Sequence, residues 1–231
     1  MTRATDLIDQ FFAGYAAERS PESASRWDWA SQLSKHLDIV VHRYRLTSIE
    51  LSEVTEPLKP EIERTMTDDA WDRVHELGDV LEVDVISFFV FGSIFLDMLA
   101  RAVQAFGGKA QGVSLDSHHA LVEHLRDYAA VMGFPAPGDD LMKQAADLYE
   151  AVNRTRNRVF VHPDSWEQLL GGFAVGEKGL ATLGLTFVGS PESPAGQSHQ
   201  ERARHLGTPV PALVEMLDAY VDGLTSYLAQ T

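Results

Sequence analysis

Arg154, Arg156 and Arg158 crowd into the stretch RTRNRVFVHP, on a chain of 231 residues whose formal net charge is -15. Two readings account for such a concentration of positive charge. Basic side chains are favoured in the last turn of a helix, where unpaired carbonyls carry partial negative charge. Alternatively the arginines handle phosphate, because a guanidinium offers a permanently charged, forked set of donors that matches phosphate oxygens.

The helix that carries the arginines sets their directions. Counted at about 100° per residue from Leu141, the apolar residues Leu141, Ala145, Leu148, Tyr149, Val152, Val159 and Phe160 share a face centred at about 50°. Arg156 falls inside that face at about 60°, with Asn153 and Asn157 widening the polar gap beside it. Arg154 and Arg158 fall on the opposite side, where Glu150 and Arg154 make an i,i+4 pair. A charge set into an apolar face needs a carboxylate partner or a wet cleft, which makes Arg156 the informative arginine. His162 precedes Pro163, and the residue before proline is driven out of the α region. The helix is therefore expected to end near Val161, leaving His162 beyond it and able to swing back toward Arg156.

Arg156-Asn157, four further residues and His162 resemble the Arg-polar-x4-His signature of HEPN domains, the all-helical higher eukaryotes and prokaryotes nucleotide-binding family. In architecture the resemblance spans about Asp68 to Pro163; in sequence it rests on this one motif. It implies metal-independent endoribonuclease chemistry by 2'-hydroxyl attack, with His162 as general acid or base, Arg156 on the phosphate and Asn157 in support. Histidine titrates near neutrality and suits that role. Arg154 and Arg158 are the candidate substrate contacts. The resemblance further implies a homodimer in which each subunit supplies an Arg-His pair to one cleft. It also implies a toxin-antitoxin or defence setting with an antitoxin or other protein partner. Asp164 stands where toxins modified by nucleotidyltransferase antitoxins often carry tyrosine, which argues against that kind of antitoxin.

Two alternatives stay open. On the same scaffold the chain would be a catalytically inactive RNA-, nucleotide- or protein-binding module. Alternatively Arg156 is a buried arginine satisfied by an acid, and His162 caps a helix end. The acidic chain excludes non-specific coating of nucleic acid, which needs many phosphates neutralised, so any RNA contact must be confined to a local cleft. With no cysteine there is no disulfide, thiolate nucleophile or cysteine-based zinc site. His118, His119 and His124 miss the i,i+4 spacing of paired zinc ligands, so no metal is expected. Gly107-Gly108-Lys109-Ala110 lacks the first glycine and the final Ser or Thr of a phosphate loop and reads as a turn; no cofactor is expected.

The elements that must position these residues are read from helical periodicity. Leu7, Ile8, Phe11, Phe12 and Tyr15 predict a short helix ending at Ser20-Pro21. From about Glu22, Trp29, Leu33, Leu37, Val40, Val41 and Tyr44 predict a second, running to about Val54 and closed by Pro57 and Pro60. A third is capped at Thr67-Asp68-Asp69 and runs to Phe106, where Gly107-Gly108 stops it, with Gly92 marking a bend or, better, close packing. Its apolar run Val85–Leu96 spans about 18 Å, short of a bilayer core of roughly 30 Å, and predicts a core helix with no membrane role. Ser117 to Met132, a helix from Gly138 onward, and a final helix bearing Leu213, Leu217, Tyr220 and Leu224 complete the set. A β-hairpin at about 172–188 and a polar loop at about 189–207 interrupt it. The expectation is a single all-α domain over 1–231, a multi-helix HEPN-like bundle with a small β-hairpin insertion after the motif helix. No signal-peptide core develops at the N-terminus, and the cytoplasm is the expected location.

Overall fold

The structure is a computed structural model that describes residues 3–55, 68–154, 156, 168–175, 181–188 and 210–231, and these are mostly helical. Helix α1 (Arg3–Phe11) passes through a π-helical turn (Phe12–Ala16) into one further turn ending at Arg19. Then follow α2 (Pro21–Thr55), α3 (Asp68–Gly107), α4 (His118–Met132), α5 (Asp139–Leu148) with a π-helical extension (Tyr149–Arg154), and α6 (Val210–Leu228). Strands β1 (Gln168–Val175) and β2 (Ala181–Val188) pair antiparallel, with Gln168 opposite Val188 and Val175 opposite Ala181. The stretch that joins them, the closing prolines Pro57 and Pro60, and the 189–207 loop lie outside the described residues. The chain divides into two compact units. One comprises Met1–Ile39, Phe89–Thr155 and Pro211–Thr231, and the other Val40–Phe88 and Arg156–Val210.

In the first unit the two ends of the chain meet. The Asp218 carboxylate on α6 accepts from the Ala4 amide at 2.7 Å, and Asp222 pairs with Arg3 at 2.9 Å. A carboxylate at a helix start satisfies an orphan N–H and complements the dipole, so α6 caps α1 from outside its own sequence. Behind this contact Phe11 packs on Trp27 and Phe106 with ring centroids 4.6 and 5.2 Å away. Ser117 caps α4 by accepting from the Ala120 amide, and Gly133 closes it at φ 72, the left-handed conformation glycine adopts without strain. At Gly92 an added Cβ would meet Val152 at 3.4 Å, an ordinary van der Waals contact.

The buried stripe of α2 differs from the predicted one. Trp29 is 53% exposed, while Trp27 is buried, and the inward positions run Trp27, Ala30, Ser34, Leu37, Val41, Tyr44, Ser48, Leu51. This is an alternating three- and four-residue spacing. The two serines disguise it. Their hydroxyls donate to helix carbonyls, Ser34 to Ser31 at 2.8 Å and Ser48 to Tyr44 at 2.7 Å, which lets small polar residues sit in an apolar seam.

In the second unit Arg43 of α2 binds Asp84 of α3, and Arg73 binds Glu50 and Glu76. These pairs place the second half of α2 antiparallel to the first half of α3. Val41, Tyr44, Leu51, Val74, Leu77 and Leu81 are buried here, whereas Leu46, Ile49, Val80 and Val83 are exposed.

The apolar part of α3 is longer than the run Val85–Leu96 suggests. By length and composition its Asp72–Gly107 portion could cross a membrane, but 56% of the most apolar window is buried within the protein. The polar fence of that run also acts within the fold, since Asp97 accepts from the His118 amide at 2.9 Å.

Candidate functional site

The motif helix begins where the sequence places it. Gly138 stands at the N-cap with extended backbone, the Met142 amide donates to its carbonyl at 3.2 Å, and Asp139 and Asp140 occupy the first turn. From Tyr149 to Arg154 the helix departs from α geometry and becomes π-helical. A π turn bonds i to i+5 and is wider than an α turn, so each residue advances by less than the wheel assumed. Angles counted from Leu141 therefore hold only as far as Leu148. Asn153, placed by the wheel at the edge of the polar gap, is 6% exposed, and its Oδ1 has no hydrogen-bond partner among the described residues. Val152 is buried beside it. Arg156 is helical, half-buried and engaged within its own chain. Of the five predicted site residues it is the one whose side chain is described. Arg154 contributes its backbone to the π segment, while Asn157, Arg158 and His162 lie outside the described residues, as does the Glu150–Arg154 pair.

The base of the π segment is held by the start of α4. Tyr149 stacks on His119 with centroids 5.0 Å apart and approaches His118 at 6.3 Å. His118 also meets Tyr220 of α6 edge-on at 5.5 Å. It is completely buried, and neither ring nitrogen has a hydrogen-bond partner among the described residues. Burial, with a smaller contribution from neighbouring His119, pushes its pKa down to about 3. His118 is thus a neutral core histidine, while exposed His119 and His124 both lie near Glu123, at 3.5 and 3.7 Å. Among the described residues no three His, Asp or Glu side chains converge as a metal site would require.

Gly107-Gly108-Lys109-Ala110 ends α3 and turns, with Gly108 at φ 102 and a bridge between Ala110 and Val113. The turn is pinned from α4, where the Tyr128 hydroxyl donates to the Gly108 carbonyl at 2.6 Å. Gly107 is required by proximity, since a Cβ there would lie 2.4 Å from Tyr128 Oη and 2.9 Å from Phe134 Cε2. Gly107→Ala is expected to cost about 1–3 kcal/mol in unfolding free energy, the usual range for overpacking, measured by urea titration. A value indistinguishable from wild type would mean that the turn can shift aside.

No protein-family model, curated protein or solved structure matches the chain.

Proposed function

We propose that the chain is a HEPN-like metal-independent endoribonuclease acting in the cytoplasm as a homodimer, with one Arg-His pair from each subunit. The observation that carries the reading is the placement of Arg156. It follows a π-helical segment and a buried, unsatisfied Asn153, and it opens the Arg156-Asn157-x4-His162 motif. π-Helical turns inside α-helices occur frequently at functional sites.

In this chemistry the His162 imidazole takes the proton of a ribose 2'-hydroxyl as its oxygen attacks the adjacent phosphorus. The bond to the 5'-oxygen breaks, and that oxygen leaves with a proton returned by a histidine. The products are a 2',3'-cyclic phosphate and a 5'-hydroxyl. Arg156 stabilises the charge that builds on the non-bridging oxygens. Asn157 orients the pair, and Arg154 and Arg158 hold flanking phosphates. A catalytically inactive RNA-, nucleotide- or protein-binding scaffold is the second reading, favoured by the engagement of Arg156 within its own chain.

Incubating total RNA with wild type and His162→Ala in excess EDTA separates the two. The ribonuclease reading expects cyclic-phosphate ends from wild type and a loss of roughly 10²- to 10⁴-fold in His162→Ala, the usual contribution of a positioned acid-base group. RNA retained but uncut by wild type supports the scaffold, and equal cleavage by both proteins removes His162 from the mechanism. Light scattering on the same samples tests the dimer.

A further inference from the structure

A pocket of about 260 Å³ opens in the first unit, between the first turns of α2 and the turn that ends α3. Its walls include Arg26, Arg101, Lys109 and Gln104, with Glu22 and Asp116. Three cations in one small pocket is an unusual arrangement for a chain with 34 acidic and 19 basic residues. No ion pair joins these three cations to the two carboxylates, or to any other among the described residues. The opposite charges line the same space without neutralising one another, which leaves both sets available to a ligand.

The donors are held in place by the surrounding fold. Arg101 Nε donates to the Asp116 carbonyl at 2.8 Å, which orients the guanidinium while its terminal nitrogens make no further bond among the described residues. The Gln104 carbonyl oxygen accepts from the Leu115 amide at 2.5 Å and from Ser114 Oγ at 3.2 Å, so its NH2 group is left to donate elsewhere. Arg26 is half-buried. A helix C-terminus ordinarily repels anions, but two carbonyls at this turn, those of Gln104 and Gly108, already accept hydrogen bonds. The Gly108 amide donates to Gln104 O at 2.8 Å, and the Tyr128 hydroxyl donates to Gly108 O.

We infer that this pocket binds a small phosphomonoester bearing hydroxyl groups, such as a sugar phosphate. Arg26, Arg101 and Lys109 take the phosphate, while Glu22 and Asp116 accept from the hydroxyls. Guanidinium groups suit the phosphate because they form paired, charge-assisted hydrogen bonds to its oxygens. The size agrees, since drug-sized ligands occupy roughly 300–1,000 Å³ and this cavity admits something smaller. The inference is independent of the ribonuclease reading, because none of these residues belongs to the Arg156 motif. Linear spacing gives no sign of the site, since Arg26 and Arg101 lie on different helices.

Calorimetric titration of the full chain with ribose 5-phosphate, inorganic phosphate and ribose tests it. Ribose 5-phosphate is expected to saturate one site about tenfold more tightly than phosphate, and ribose alone to give no binding. Lys109→Gln, at an exposed position, and Arg26→Gln should each weaken ribose 5-phosphate about tenfold. The pair Glu22→Gln with Asp116→Asn should abolish the preference over phosphate. Absence of saturable binding of either phosphate probe, or binding unaltered by both Lys109→Gln and Arg26→Gln, would overturn the assignment.

Discussion

Arg43→Ala is expected to lower the unfolding free energy by about 3 kcal/mol, near the lower end of what breaking a buried ion pair costs. The Asp84 side chain has no exposed surface, while that of Arg43 is 53% exposed. Arg43 Nε donates to Asp84 Oδ1 at 2.5 Å, its Nη2 reaches the same oxygen, and Oδ2 has no hydrogen-bond partner among the described residues. The hydrogen bond it donates to Asp84 holds the Arg43 guanidinium pKa above its usual value, so the arginine stays charged. Truncating Arg43 leaves a carboxylate inside the helix pair with nothing to compensate it. Water reaching the vacated, half-exposed arginine position keeps the loss below that of a fully enclosed pair. Adding Asp84→Asn removes the buried charge at constant shape and should recover at least half the loss. Urea unfolding of the single and double variants measures both, and a loss under about 0.5 kcal/mol for Arg43→Ala would show that Asp84 finds other solvation.

Acid is expected to unfold the protein partly through His118. The folded pKa of about 3 lies below the ordinary 6.5, so the folded state resists protonating a ring that the unfolded chain protonates readily. The associated stability is fully present above pH 6.5 and is lost as pH falls toward 3, at about 1.4 kcal/mol per pH unit. Carboxylates add losses in the same direction, so the difference between two proteins isolates the histidine. His118→Leu keeps the backbone amide bond to Asp97 and removes two ring nitrogens that have no hydrogen-bond partner among the described residues. It should match or exceed wild type at pH 7 and show the shallower decline of stability between pH 6 and about 4. Parallel declines in the two proteins would mean that the folded state already accommodates a charged His118.

Sequence periodicity located the helices because each must bury an apolar stripe, and that stripe repeats at the helical period whatever it packs against. Ile8, Phe11, Leu121, Leu125, Leu213, Leu217, Tyr220 and Leu224 are buried for that reason. The cap at Ser117 and the closure at Gly133 were not read from the sequence, whereas the glycine stop of α3 at Gly107 was legible as local chemistry. Two features of the stripes were not. Ser34 and Ser48 hide the seam of α2, because a hydroxyl bonded to its own helix is buried cheaply while a polarity count treats it as exposed. The π turns at Phe12–Ala16 and Tyr149–Arg154 change the residue advance, and the sequence pattern carries no sign of such a change.

The candidate site was legible only as residue types and spacing. Arg156, Asn157 and His162 form a motif within one short stretch, and the wheel that set Arg156 in the apolar face keeps a constant step that fails at Tyr149. By itself the sequence determined helix positions, the scarcity of positive charge and the absence of thiol chemistry, all of which depend on composition or near neighbours. Only the tertiary structure decided that His118 is a neutral core residue, that Asp84 is buried against Arg43, and that Arg26, Arg101 and Lys109 share one pocket. Burial and charge proximity depend on which helix faces which, and residues that are 41 or 75 positions apart leave no periodic trace of having met.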